Sequence, residues 1–157
     1  DDKNFNIFIE PGRRIVANGG ILITKVIYKK TNGDKKFLIV DAAMNDLLRP
    51  SLYDAKHKIK PIFEKLNAKI EKFEVVGPIC ESGDILAKNV ALPEETSEEL
   101  LAIYSAGAYG SVMSSNYNSR LLVPEVLVKE KQYSIIRKRQ TYDELLSNEN
   151  FAKWQNT

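Results

Sequence analysis

The sequence predicts a mainly β fold, a barrel or sandwich of short strands, with one opening strand that belongs to a different layer. Apolar and β-branched runs recur at close spacing along the 157 residues. Turn chemistry separates them, most clearly at Asn32-Gly33. Helical signals are few: a turn near Pro50 and a terminal stretch opened by Thr141.

Asn6-Ile7-Phe8-Ile9 is a short apolar strand running straight into Glu10-Pro11-Gly12-Arg13. Strands apolar on both faces suit a parallel sheet covered by helices. A polar loop at the C-terminal end of such a strand is where (β/α)8 barrels keep their chemistry. The strand follows at once on Asp1-Asp2-Lys3-Asn4, with no initiator Met, as expected of a piece of a longer protein. Residues 21–28 and 36–40 are strands joined around Thr31-Asn32-Gly33-Asp34. Residues 50–58 form a short helix or turn opened by Pro50 and Ser51. Residues 59–63 and 73–79 are further strands, the second punctuated by Gly77-Pro78. Leu92-Pro93-Glu94-Glu95 makes an acidic turn before a strand at 100–104. Residues 105–110 are small and glycine-rich, a loop that lets a ligand or another backbone come close. Residues 125–128 and 133–137 flank Lys129-Glu130-Lys131-Gln132 as a hairpin. Thr141 caps a terminal helix with acidic residues in its first turn.

Composition sets limits on function. The chain is one domain long, and 43% apolar residues can build a core. Twenty-three basic residues against 21 acidic ones leave a net charge of +2, without the basic excess of a general nucleic-acid binder. Arg137-Lys138-Arg139 is short and follows the β-like run 133–136, so a solvated strand end is the better reading and a phosphate patch the lesser one. No apolar run approaches the roughly 20 residues that span a bilayer, and the first residues lack a signal peptide's pattern. One cysteine excludes an intramolecular disulfide and fits a reducing cytoplasm. His57 is the sole histidine, so a Cys/His metal set is absent from the sequence and His57 is expected to be structural. Glycine-rich loops of the Walker or Rossmann type are missing.

Four stretches carry possible chemistry. Cys80-Glu81-Ser82-Gly83-Asp84 sets a thiol beside a carboxylate in a turn. A lone Cys is more often a buried small hydrophobe. Here the neighbouring acids, costly to bury unpaired, favour a proton donor or nucleophile. Arg13 stands on a rigid turn and could grip a carboxylate or phosphate, or simply make a surface salt bridge. Arg49 and Tyr53 share one face if a helical turn runs through Pro50. The run from Met113 to Arg120 is dense in hydroxyls and amides, suited to a polar ligand or to satisfying irregular backbone.

Taken together, six motifs resemble the C-terminal part of the diaminopimelate decarboxylases, in that family's order and with similar spacing. They are Glu10-Pro11-Gly12-Arg13, Val40-Asp41-Ala42-Ala43-Met44-Asn45-Asp46, Arg49-Pro50-Ser51-Leu52-Tyr53, Val76-Gly77-Pro78-Ile79-Cys80-Glu81-Ser82-Gly83-Asp84, Ala106-Gly107-Ala108-Tyr109-Gly110 and Met113-Ser114-Ser115-Asn116-Tyr117-Asn118-Ser119-Arg120. Two small departures from the family's pattern are Ala42-Ala43 and Gly19-Gly20, each where Ala-Gly is common. The resemblance implies a pyridoxal-phosphate enzyme of fold type III, the alanine racemase and ornithine decarboxylase fold. There an N-terminal (β/α)8 barrel precedes a C-terminal β domain. Residues 1–20 would then be the barrel's last strand and its loop, and residues 21–157 the β domain with its terminal helix. The lysine that forms the Schiff base with pyridoxal 5'-phosphate would lie in the absent barrel, leaving this piece inactive alone.

The resemblance also implies roles. Glu10, Pro11, Gly12 and Arg13 would touch the cofactor phosphate, with Arg13 also gripping substrate. Arg49 and Tyr53 would hold a substrate carboxylate. Cys80 would be the proton donor and Glu81 the ligand of the distal amino group. Tyr109 would contact both cofactor and substrate. Cys80 and Glu81 would serve the other subunit of a homodimer. The expected reaction converts meso-2,6-diaminopimelate to L-lysine and CO2, the last step of lysine biosynthesis. The alternatives are a decarboxylase of ornithine, arginine or carboxynorspermidine, or a non-catalytic β-barrel binding module. Without the barrel, the apolar faces of residues 6–9 and of Ile15-Val16 should stand exposed.

Overall fold

In a computed structural model describing residues 5–63, 67–94 and 99–155, one six-stranded sheet forms the body of the protein. Its strands are β1 (Ile21–Asn32), β2 (Lys35–Val40), β3 (Ile59–Pro61), β4 (Ile70–Val76), β5 (Ile85–Pro93) and β6 (Leu100–Tyr104). They lie in the order β3-β6-β1-β2-β4-β5. All pairings are antiparallel except β2 with β4. The sheet curls until its two edges, β3 and β5, meet, a nearly closed barrel. Two short α-helices, α1 (Arg49–Tyr53) and α2 (Tyr142–Leu146), a separate hairpin of β7 (Glu125–Lys129) and β8 (Gln132–Arg137), and four single 3-10 turns complete the described elements.

The strands form where apolar side chains can alternate into the barrel. Val26, Leu38, Val40, Phe73, Val75, Leu86, Leu92, Leu101 and Ile103 are almost wholly buried and make one cluster. The first hairpin closes with Asn32 paired to Lys35, and Gly33 takes the positive φ that the turn demands. The terminal helix has a capping box: Glu144 N–H donates to Thr141 Oγ1, and Thr141 N–H donates to Glu144 Oε2. Ser111 Oγ donates to Glu125, which also pairs with Arg137 at 2.9 Å, tying the hairpin to the turn after Gly110.

Three expectations are corrected. The strand at residues 6–9 does not form; the segment is irregular, and Phe8 is 91% exposed. A strand needs at least one neighbouring strand to pair with, and no described strand pairs with this segment. The apolar exposure expected of residues 6–9 and of Ile15 and Val16 is present. Leu92 and Pro93 are not a turn but the end of β5, a strand the sequence hid. Its alternation is broken by a bulge at Lys88-Asn89, where the register shifts and Asn89 takes positive φ. The strand near Phe73 starts at Ile70 and stops at Val76, releasing Gly77 to Ile79 to the following loop. Glu95 and residues 1–4 lie outside the described residues.

One charge sits at the barrel's rim. Glu71 alternates with Phe73 and Val75 and is therefore directed inward. Its carboxylate meets Lys36 at 2.6 Å, Lys69 at 2.7 Å and Lys29 at 3.7 Å. The hydrogen bonds from Lys36 and Lys69 hold its pKa down to about 2, against an ordinary 4.5. As pH falls the unfolded chain takes up this proton first, so the stabilisation is full above about 4.5 and is lost towards about 2. Glu71→Gln should flatten the fall of thermal midpoint across that window, measured by circular dichroism; an unchanged acid slope would refute it.

Candidate active site

The turn after β2, residues 41–46, anchors two loops that carry functional groups. Asp41 accepts from Thr24 Oγ1 and from Lys25 N–H, both at 2.7 Å, fixing the turn to β1. Asp46 Oδ2 accepts from Ala43 N–H at 2.9 Å and from Arg120 Nη2 at 3.4 Å. Arg120 Nη2 also donates to the Asp41 carbonyl at 2.7 Å. Asn45 Nδ2 donates to the carbonyls of Ser115 at 3.0 Å and Tyr117 at 2.8 Å. Met44 N–H donates to Asp84 Oδ1 at 2.7 Å. The 115–120 loop and the 77–84 loop are thus hung from one short turn.

Asp84 is the keystone of the Cys80 loop. It is buried, and its second oxygen accepts from Ile79 N–H at 3.1 Å. Gly77 N–H donates to the Asp84 carbonyl at 3.0 Å, and a Cβ on Gly77 would overlap the Asp84 carboxylate. Burial pushes the Asp84 pKa up, opposed by the Met44 and Ile79 amides. Burial likewise raises Asp46, opposed by Ala43 and Arg120. The cost of burying an acid beside Cys80 is therefore met by backbone donors, and the loop folds tightly around one acid while showing the other to solvent.

Cys80 is exposed at the loop's turn. Glu81 follows it, with Oε1 accepting from Gly83 N–H at 3.0 Å and Ser82 Oγ at 3.3 Å. Tyr117 Oη donates to the other oxygen at 3.2 Å. These donors, Gly83 first, hold the Glu81 carboxyl below the usual range, and the same bond pushes the Tyr117 phenol up. Ser51 Oγ donates to the Gly83 carbonyl at 2.6 Å, tying α1 to this loop.

Helix α1 carries Arg49 and Tyr53 on one face, as the spacing predicts; Pro50 opens it and Asp54, in the left-handed region, ends it. The Arg49 guanidinium lies over two rings, 5.3 Å from the Tyr53 centroid and 5.6 Å from that of Tyr109. Its Nε is buried without a hydrogen-bond partner. Tyr109 takes positive φ in the glycine-rich loop. That loop is locked to the chain before β1: Gly107 N–H donates to Ala17 O at 3.0 Å, and Ala106 N–H to Gly20 O at 2.9 Å. A Cβ on Gly12 would come within 2.8 Å of the Tyr109 hydroxyl. The Glu10-Pro11-Gly12-Arg13 loop therefore passes close over the phenol, and a side chain at Gly12 would push the Tyr109 hydroxyl aside.

The structure brings Gly12, Arg49, Tyr53 and Tyr109 into one group and Cys80 with Glu81 into another, joined through Ser51. Glu10, Pro11 and Arg13 stand exposed on their loop. His57 is buried, with Nδ1 donating to the Tyr104 carbonyl at 2.9 Å, a structural residue as expected. The hydroxyl and amide run satisfies backbone: Asn116 Nδ2 donates to Arg120 O at 2.6 Å, and Ser114 Oγ to Ser111 O at 2.5 Å. Sequence reasoning assigned no role to Asn45, Asp46, Ser51, Tyr117 or Arg120. Their one sequence signal was membership of the quoted motifs. Among the described residues no group of His, Cys, Asp and Glu is placed to hold a metal ion, and no helix is long and apolar enough to cross a membrane.

A family model described as the C-terminal sheet domain of pyridoxal-dependent decarboxylases matches residues 15–107. A diaminopimelate decarboxylase of Aquifex aeolicus is 52% identical over 137 residues, 87% of this chain and 32% of the relative. One of Zymomonas mobilis is 46% identical over 151 residues, 96% of this chain and 35% of the relative. The crystal structure of diaminopimelate decarboxylase from Helicobacter pylori complexed with L-lysine superposes with a TM-score of 0.80 at 48% identity, covering 88% of this chain and 34% of that one. The chain spans about a third of the length of the curated relatives it matches.

Proposed function

Because this chain belongs to the pyridoxal-dependent decarboxylases and carries their C-terminal sheet domain, we propose that it is the substrate-recognising part of a diaminopimelate decarboxylase. The reaction would be loss of CO2 from meso-2,6-diaminopimelate to give L-lysine. The observation that carries this reading is the pairing of an exposed thiol with a hydrogen-bonded carboxylate, Cys80 with Glu81, on a loop tied to the Arg49 helix. A basic amino acid with a second amino-acid head needs such a set: a cation for a carboxylate, an anion for an ammonium, and an acid near the reacting carbon.

Pyridoxal phosphate fits what is present. The loop from Glu10 to Arg13 passes within contact of the Tyr109 hydroxyl at Gly12, so exposed backbone, an arginine and a phenol lie together where an anionic phosphate could bind. These residues and Tyr109 would hold the cofactor, and the lysine that binds it would lie in the part of the relatives that this chain does not span. When bound, the cofactor takes up the electron pair that departing CO2 leaves behind.

The remaining work falls to side chains of this chain. Arg49, pre-oriented between two rings and with an unpaired Nε, takes a substrate carboxylate in its planar fork, assisted by Tyr53. Arg13 reaches the same ligand from the opening loop. Glu81 is readily ionised at neutral pH and pairs with the distal ammonium. Cys80 Sγ–H delivers a proton to the carbon that lost CO2, and the thiolate recovers one from water. An exposed Cys80 loop suits a site shared between two subunits, so a homodimer with the site at its interface is part of the proposal. Residues 1–20 would belong to the barrel and residues 21–157 to the β domain. A lone thiol that the proposed step needs in its reduced form suits a reducing compartment such as the cytoplasm.

The test is CO2 release from meso-diaminopimelate by the protein expressed in its complete reading frame and loaded with pyridoxal phosphate. Turnover is expected. Activity confined to ornithine, arginine or carboxynorspermidine would move the substrate assignment, and inactivity on all of them would support a binding module.

A further inference from the structure

We infer that Tyr117 is a positioning residue for Glu81, holding its carboxylate outward for the substrate's distal ammonium. The geometry comes from the loops themselves; the ligand rests on the decarboxylase reading above. Glu81 Oε1 is bonded within its own loop, by Gly83 N–H at 3.0 Å and Ser82 Oγ at 3.3 Å. Those two bonds join the side chain to its own turn. Tyr117 comes from a different loop and takes the other oxygen at 3.2 Å. The carboxylate is thereby spanned between two loops instead of folded onto one.

Tyr117 can serve as such a post because its own backbone is fixed. Its carbonyl accepts from Asn45 Nδ2 at 2.8 Å. The two residues after it, Asn118 and Ser119, take positive φ, so the chain turns sharply just past Tyr117. Asn45 is buried, and its turn also holds Asp84, the keystone of the Cys80 loop. The donor and the acceptor of the Tyr117–Glu81 bond are thus measured from neighbouring residues, 44 and 45. The bond's further effect is to favour the ionised carboxylate, in the direction an ammonium ligand needs.

Tyr117→Phe in the complete, cofactor-loaded enzyme removes one hydroxyl. The expected result is a KM for meso-diaminopimelate raised about tenfold with turnover within about twofold, the loss of a hydrogen bond to a charged group. The acid limb of kcat/KM should move to higher pH, because Glu81 loses a donor that favours its charge. In a Glu81→Gln background the same change should add less than about twofold, since Tyr117 acts through Glu81. An unchanged KM and acid limb in a folded variant, or full additivity with Glu81→Gln, would overturn the role. The crystal structure of the Tyr117→Phe protein reads the geometry without any activity. A Glu81 carboxylate drawn back onto its own loop supports the inference, and one left unmoved overturns it whatever the substrate. A parent enzyme inactive on meso-diaminopimelate counts against the functional proposal alone.

Discussion

Cys80→Ala is expected to lower turnover on meso-diaminopimelate by about 10²–10⁴-fold with KM within a few-fold, the loss typical of a removed general acid. The thiol is exposed and the loop around it is held by backbone bonds to Asp84. Its removal should therefore leave the fold and the carboxylate ligands in place. The measurement is steady-state kinetics of the complete, cofactor-loaded enzyme, with circular dichroism to confirm folding. Full turnover in the alanine variant would refute the proton-donor role. A large rise in KM with normal turnover would make Cys80 a binding residue instead.

Asp84→Ala should have the largest structural effect. It strips the partners from two half-buried amides, Met44 N–H and Ile79 N–H, and opens a void beside Gly77. Each orphaned donor costs about 1–3 kcal/mol, so a loss of about 2–4 kcal/mol is expected in denaturant unfolding. The Cys80-Glu81 loop should become protease-sensitive before the barrel unfolds. A variant as stable as the parent would mean that other groups take over both amides.

Much of this was legible in the sequence. Hairpins declared themselves through Asn32-Gly33 and through the run between β7 and β8, because turn chemistry is local. Arg49 and Tyr53 could be paired from their spacing alone. What stayed hidden depended on distant partners. Strand β5 contains a bulge at Lys88-Asn89 whose meaning appears only opposite β4. Residues 6–9 have every local mark of a strand yet form none here, since a strand needs neighbours and not only composition. Asp84 was expected at an exposed turn, and only the amide of Met44, 40 residues away, shows why it can be buried. Tyr117 gave no signal beyond its place in the hydroxyl and amide run, because its partner Glu81 lies in a loop 36 residues earlier.

The short turn at residues 41–46 has a consequence for accuracy. In machining, two features cut from the same datum keep their spacing even when the workpiece flexes. Glu81 and Tyr117 are both dimensioned from Met44 and Asn45, so the tolerance between them accumulates over two short arms rather than around the barrel's strands. A change at Asn45 would loosen the arm that carries Tyr117, while the arm that runs through Asp84 to Glu81 keeps its own bond to Met44, so the spacing between the two would be lost from one side.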